Sequence, residues 1–253
     1  MTARVNLFGA EFDPLSLQDT IERIEDHVRA GRQGWLCTVN VAILMMMRND
    51  PWLESFISRA SIVVADGQPL MWCSKVMLPQ PLPERVAGVD LVFALAKQSE
   101  QTGLRIGVLG AKAEVIEELA SRIRTRHPDA KLVYVGDGFF DADGAKQRAA
   151  DIKAANVEVL LVGMGVPRQE HFVDEQFEAM GIPLCVGVGG SFDVLAGVVS
   201  RAPEIVQRAG MEWAFRLAQE PQRLWKRYLV TNATFIWHAG RKYLRGRGTP
   251  PRT

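Results

Sequence analysis

Asp66 is the carboxylate in this sequence best placed to move a proton. It ends the apolar run Ser61-Ile62-Val63-Val64-Ala65 and precedes Gly67. That spacing predicts a side chain projecting from a strand terminus into a crevice. Apolar walls disfavour the charged form of a carboxylate, raise its pKa and make it a usable general base. The alternative is a simpler one, in which Asp66 only caps the helix that follows. Four other polar or glycine-rich clusters fall at expected strand ends. They are Thr38-Val39-Asn40, Gly136-Asp137-Gly138, the octet from Gly163 to Glu170 that includes Arg168 and Gln169, and Gly187 to Asp193. Any one of them could be just a turn. Their convergence on one sheet edge predicts a ligand crevice. A glycine-rich strand end leading into a helix from Pro167 can present free backbone N–H groups to a phosphate.

Standard nucleotide signatures fail. Gly163-x-Gly165 is followed by Arg168, and Gly187-x-Gly189 by Phe192, so neither makes G-x-G-x-x-G; no G-x-x-x-x-G-K-[ST] occurs either. A nicotinamide dehydrogenase and a P-loop enzyme are therefore disfavoured. Asp141-Ala142-Asp143 is a literal D-x-D, a pattern that can hold a metal-bound diphosphate. Because Gly144 and a polar helix follow, a loop with a helix N-cap is the simpler reading. His27, His127, His171 and His238 are scattered without ligand spacing, so no metal site is expected. Cys37, Cys73 and Cys185 are widely spaced among apolar residues and read as buried, reduced thiols.

The elements that must position these groups follow from periodicity. Short runs rich in Val, Ile and Leu predict strands at Val5–Phe8, Trp35–Val39, Ile62–Ala65, Arg105–Leu109, Leu132–Val135, Val157–Val162 and Leu184–Val188. Helical patterns cover Leu17–Ala30, Asp90–Gln101, Ala113–Arg126 and Ala145–Ala154. In Ala113–Arg126, Val115, Ile116, Leu119, Ala120 and Ile123 form one stripe on a 3.6-residue helix. The alternation predicts an α/β fold: a Rossmann-like, doubly wound, mostly parallel sheet with a C-terminal helical appendage. One helix is expected over Ala202–Gln219, with Pro203 in its first turn, and a second from Pro221 toward Tyr243.

The 253 residues divide unevenly in charge. From Arg201 onward there are eleven Lys or Arg against three Glu, whereas residues 1–200 hold nineteen basic and twenty-six acidic side chains. Trp213, Trp225 and Trp237 fall in the basic part, interleaved with Arg216, Arg223, Lys226 and Arg227. We therefore expect a catalytic core over 1–200, a membrane-docking appendage over 201–245 and a disordered tail over 246–253. Leu224, Trp225, Tyr228 and Leu229 beside Arg223, Lys226 and Arg227 suit an interfacial amphipathic helix on an anionic membrane surface. A helix packed on the body, or on another subunit, is the competing reading. No apolar run reaches the roughly 18 residues that span a bilayer, and the first residues lack a secretory pattern. A cytoplasmic protein, peripheral on the inner face of the plasma membrane, is expected. The acidic body and the lack of a recognised motif argue against nucleic acid as a partner.

Read in order, the clusters carry a resemblance. They are T-V-N at 38–40, V-V-A-D-G-Q-P at 63–69, L-P-E-R-V-A-G-V-D at 82–90 and G-M-G-V-P-R-Q-E at 163–170. G-V-G-G-S-F-D-V-L-A-G at 187–197, S-R-A-P at 200–203 and R-A-G-M-E-W-A-F-R-L-A-Q-E-P-Q-R-L-W-K-R-Y-L at 208–229 complete the series. Over roughly residues 5–240 the chain resembles the WecG/TagA/CpsF family, glycosyltransferase family 26. The resemblance implies a metal-independent, inverting glycosyltransferase that needs no cofactor. It would move a sugar from a UDP-sugar to a polyprenyl-diphosphate-linked acceptor. The expected sugar is of the N-acetylmannosamine type, with glucose or a uronic acid as alternatives, and the expected acceptor is an undecaprenyl-diphosphate-linked saccharide. By motif, Asp66 resembles the catalytic base, while Thr38, Asn40 and Gln169 match positions that contact the UDP-sugar. Arg85 matches a basic residue near the diphosphate or acceptor. Arg216, Arg223 and Arg227 lie in the appendage that family members fold over the site. The D-x-D at 141–143 is not a family motif. A non-catalytic sugar-nucleotide or polyprenyl-phosphate binding protein is the alternative function, and a homo-oligomer is compatible with either.

Overall fold

The computed structural model describes residues 3–219 and 221–222. The chain opens with an antiparallel hairpin of β1 (Val5–Leu7) and β2 (Ala10–Phe12). Val5–Phe8 therefore belongs to a separate two-stranded sheet, not to the main one. Phe8 and Gly9, both at positive φ, turn the chain back, so one apolar run was read where a strand and half a turn exist.

The main sheet is six-stranded and parallel. It comprises β3 (Gly34–Val39), β4 (Ile62–Ala65), β5 (Ile106–Gly110), β6 (Leu132–Gly136), β7 (Val159–Gly163) and β8 (Leu184–Gly187). Their order across the sheet is β4-β3-β8-β7-β5-β6. Helices α1 (Leu17–Arg29), α5 (Gly88–Thr102), α6 (Ala113–Arg126) and α9 (Ser191–Leu195) cover one face. The other is covered by α2 (Val41–Met47), α3 (Pro51–Ser58), α4 (Gln68–Met77), α7 (Ala142–Ala154) and α8 (Arg168–Met180). Successive strand residues serve opposite faces. On β7, Val159 and Leu161 join one core cluster while Leu160 and Val162 join the other, all fully buried. The expected doubly wound α/β architecture is what the chain adopts.

Local chemistry explains the helix ends. Ser16 and Asp19 form a reciprocal capping box on α1, and Asp50 with Pro51 starts α3. Asp141 caps α7 by accepting from Gly144 N–H at 2.8 Å, and Asp143 pairs with Lys146 at 2.9 Å. Both carboxylates of the D-x-D thus have local roles. The apolar stripe read on α6 is buried in full.

The helix expected over Ala202–Gln219 is instead two short ones, α10 (Glu204–Arg208) and α11 (Glu212–Gln219), and Pro203 is the N-cap residue of the first. Gly210 makes the break, at φ +64. A Cβ there would also lie 2.6 Å from the Trp72 ring, so both backbone and space call for glycine. The remainder of the expected appendage and tail lies outside the described residues.

The hairpin is tied to the sheet edge by a buried carboxylate. Asp13 N–H donates to Val63 O at 2.8 Å, and Asp13 Oδ2 accepts from Val63 N–H at 2.8 Å and from Arg4 Nε at 3.1 Å. Asp13→Ala leaves that buried strand N–H without its acceptor. A destabilisation of about 2 kcal/mol is expected in urea unfolding. An unchanged midpoint would show that the edge does not need this tie.

Candidate active site

Asp66 leaves β4 with its N–H still in the ladder, donating to Val39 O at 2.9 Å. Gly67 then turns the chain at φ +132 and is itself the N-cap residue of α4, without a side-chain cap bond. Asp66 therefore does not cap the following helix, and its half-buried carboxyl faces the crevice beyond the strand ends. Two cavities meet there. The larger, about 390 Å3, is lined by residues that include Asp66, Trp72, Arg85, Gln207, Met211 and Arg216. The smaller, about 60 Å3, includes Thr38, Asp66, Gly189, Ser191, Arg201 and Arg216. Asn40, Asp66, Glu212 and Arg216 line both.

Burial pushes the Asp66 carboxyl up to about 6, against the pull of Arg85; Glu212 adds to the rise, Arg216 opposes it, and Asp90 raises it slightly further. The carboxylate is thus poised close to neutrality rather than deeply ionised. Arg85 donates from Nη1 to Glu212 Oε2 at 2.8 Å and from Nη2 to Gln207 Oε1 at 3.0 Å, with Asp90 at 3.9 Å. Arg216 donates to Gly190 O at 3.0 Å, and Arg201 pairs with Asp90 at 2.8 Å. Guanidinium groups from the body and from the last helices therefore converge around one carboxylate.

Thr38, 7% exposed, donates from Oγ1 to Gly187 O at 2.8 Å. Asn40 caps α2, its Oδ1 accepting from Ile43 N–H at 3.1 Å, while lining both cavities. Gln169 is placed differently. It is 4% exposed, is not among the residues lining either cavity, and supports the Gly187–Ser191 turn from beneath. Arg223 and Arg227 lie outside the described residues. The Gly136–Gly138 and Gly163–Glu170 clusters end their strands at the same edge without lining these two cavities. Asp137 there is paired with Arg148, and Arg168 lies over the Phe139 and Phe140 rings.

Glu212, Asp90, Gln207 and Trp72 belong to the site and were not singled out from sequence. Glu212 sits in the R-A-G-M-E-W stretch and Asp90 closes P-E-R-V-A-G-V-D, yet an acid in a helix first turn ordinarily reads as dipole complementation. Cys37 and Cys185 are buried free thiols as expected, whereas Cys73 is half-buried and lines the larger cavity. Among the described residues no group of three or more His, Cys, Asp or Glu comes together to hold a metal ion. No helix of the described residues is long and apolar enough to cross a membrane.

The turn that aims Asp66 depends on Gly67. A Cβ there meets only ordinary contacts, Asn40 Cβ and Pro69 Cδ at 3.9 Å, so an alanine would be harmed by its backbone alone. Gly67→Ala is expected to cost about 1–3 kcal/mol in thermal unfolding. Turnover should fall beyond what the lost folded fraction explains. Turnover that merely tracks the folded fraction would mean that Gly67 does not aim the carboxylate.

Residues 5–249 match the model of the Glycosyl transferase WecG/TagA/CpsF family, nearly the whole chain. That match indicates glycosyl transfer in cell-surface polysaccharide synthesis, with a sugar-nucleotide donor and a lipid-linked acceptor in general. A parallel sheet with its acid and arginines gathered at one edge agrees with such chemistry, and the chain belongs to the WecG/TagA/CpsF family of glycosyltransferases.

Proposed function

We propose that this glycosyltransferase inverts the anomeric centre and uses a UDP-sugar, with Asp66 as the general base. The observation that carries the reading is the Asp66 carboxyl, raised to about 6, at the junction of two cavities. In the proposed step the carboxylate takes the proton of the acceptor hydroxyl as that oxygen bonds to the anomeric carbon. The bond to UDP breaks on the opposite face, and UDP departs with the electron pair. Its developing charge is met by Arg85, Arg216 and backbone N–H groups, and the proposal includes no metal ion. The sugar is of the N-acetylmannosamine type and the acceptor is an undecaprenyl-diphosphate-linked saccharide.

Asp66→Asn should keep UDP binding nearly intact and lower turnover by about two orders of magnitude or more. It replaces a group whose ionisation the site disfavours, so folding should not suffer. In the wild type, kcat/KM should fall as pH drops through about 6, because protonation removes the base, and level off above it. Near wild-type turnover in the variant would refute the assignment of the base. UDP binding without UDP release by the wild type would leave a binding protein instead.

The enzyme is proposed to work at the inner face of the plasma membrane. Supporting this, Trp72, Val76, Ile205 and Met211 are 45%, 65%, 82% and 46% exposed, on or beside the helices that line the larger cavity. The basic residues beyond 222 add attraction for anionic lipid, on the order of 1 kcal/mol each. A chain ending at Gln222 keeps α10 and α11. It should still bind UDP but lose co-sedimentation with anionic vesicles. Unchanged sedimentation would rule out docking by this segment.

A further inference from the structure

Gln169 and Glu170 open α8 beneath the Gly187–Ser191 turn. Gln169 Oε1 accepts from Gly189 N–H at 3.0 Å, and Gln169 Nε2 donates to Glu170 Oε1 at 2.8 Å. The two side chains are 4% and 5% exposed. The fit is close, since a Cβ on Gly187 would lie 2.9 Å from Gln169 Nε2. From the other side Thr38 holds Gly187 O at 2.8 Å. The turn is therefore clamped at both ends of its first three residues.

A carboxamide has two ends of nearly equal size, and only its partners decide which way round it sits. Reversed, Gln169 would set its NH2 against the Gly189 N–H and strand that donor. Ionised, Glu170 can only accept and so favours the observed orientation; protonated, it keeps an acceptor oxygen for Nε2 and does not oppose it. We propose that Glu170 is a positioning residue that locks the Gln169 carboxamide and, through it, holds the turn lining the smaller cavity. A role in packing alone does not explain a carboxyl here. Its Oε2 has no hydrogen-bond partner among the described residues, and burial pushes the group up to about 7. An apolar side chain of similar size would avoid that cost.

The lock itself is independent of the ligand, while its effect on UDP rests on the proposed function. The test uses the full-length chain, Glu170→Met and Glu170→Gln, hydrogen exchange at the Gly189 amide, and calorimetric titration with UDP. Loss of the acceptor in Glu170→Met should speed Gly189 exchange and weaken UDP binding, each about tenfold, while Glu170→Gln, which keeps an acceptor oxygen, should restore both. In a Gln169→Ala background Glu170→Met should add nothing further. Wild-type protection of Gly189 in folded Glu170→Met, or an equal effect in the Gln169→Ala background, would overturn the proposal. If Glu170→Met does not fold, Glu170→Leu removes the same acceptor and gives the same reading, loss of Gly189 protection. If the wild type binds no UDP, the functional reading fails, and the exchange measurement still decides the lock.

Discussion

Six strands that all run one way must end on one edge, and everything about the site depends on that constraint. A parallel ladder leaves its last carbonyls and the first N–H groups of the following helices on the same side. Asp66, Asn40 and the Gly187–Ser191 turn come from β4, β3 and β8, which are neighbours in the sheet though far apart in the chain. The crevice between them follows from topology before any side chain is considered. What the side chains add is charge in a place that water reaches only partly.

That charge is balanced rather than maximised. Burial alone pushes the Asp66 carboxyl up, while Arg85 and Arg216 pull it down. Glu212 and Asp90 sit against Arg85 and themselves raise the carboxyl, Arg216 opposes them, and the group settles at about 6. A base for an alcohol proton must be ionised at working pH without being so stable an anion that it will not accept the proton. The surrounding ion pairs therefore tune the proposed base as well as hold the helices.

Much of this is legible from residue order. Ile62–Ala65 and Ala113–Arg126 were readable to the residue because each is a clean run with one period and clear ends. The place of Asp66 at a strand end was readable because it follows directly on an apolar run, although only the structure shows that Gly67, and not Asp66, is the N-cap residue of α4. The hairpin was hidden because three-residue strands carry too little pattern. Helix α2 was hidden inside an apolar run that shows no amphipathic stripe, since most of its side chains are buried. The place of Gln169 beneath the turn, and of Glu212 on Arg85 across 127 positions, depends on contacts that local pattern does not encode.

The Arg85 hydrogen bonds couple two parts of the molecule. An anion that takes the Nη1 and Nη2 donors now held by Glu212 and Gln207 must displace those two side chains, which belong to the last described helices. By reciprocity, whatever loosens those helices strengthens the anion's hold, and the anion loosens the helices by the same free energy. Affinity measured on the empty protein is then an exchange constant between a carboxylate of the chain and the incoming phosphate, not the full strength of the phosphate contact.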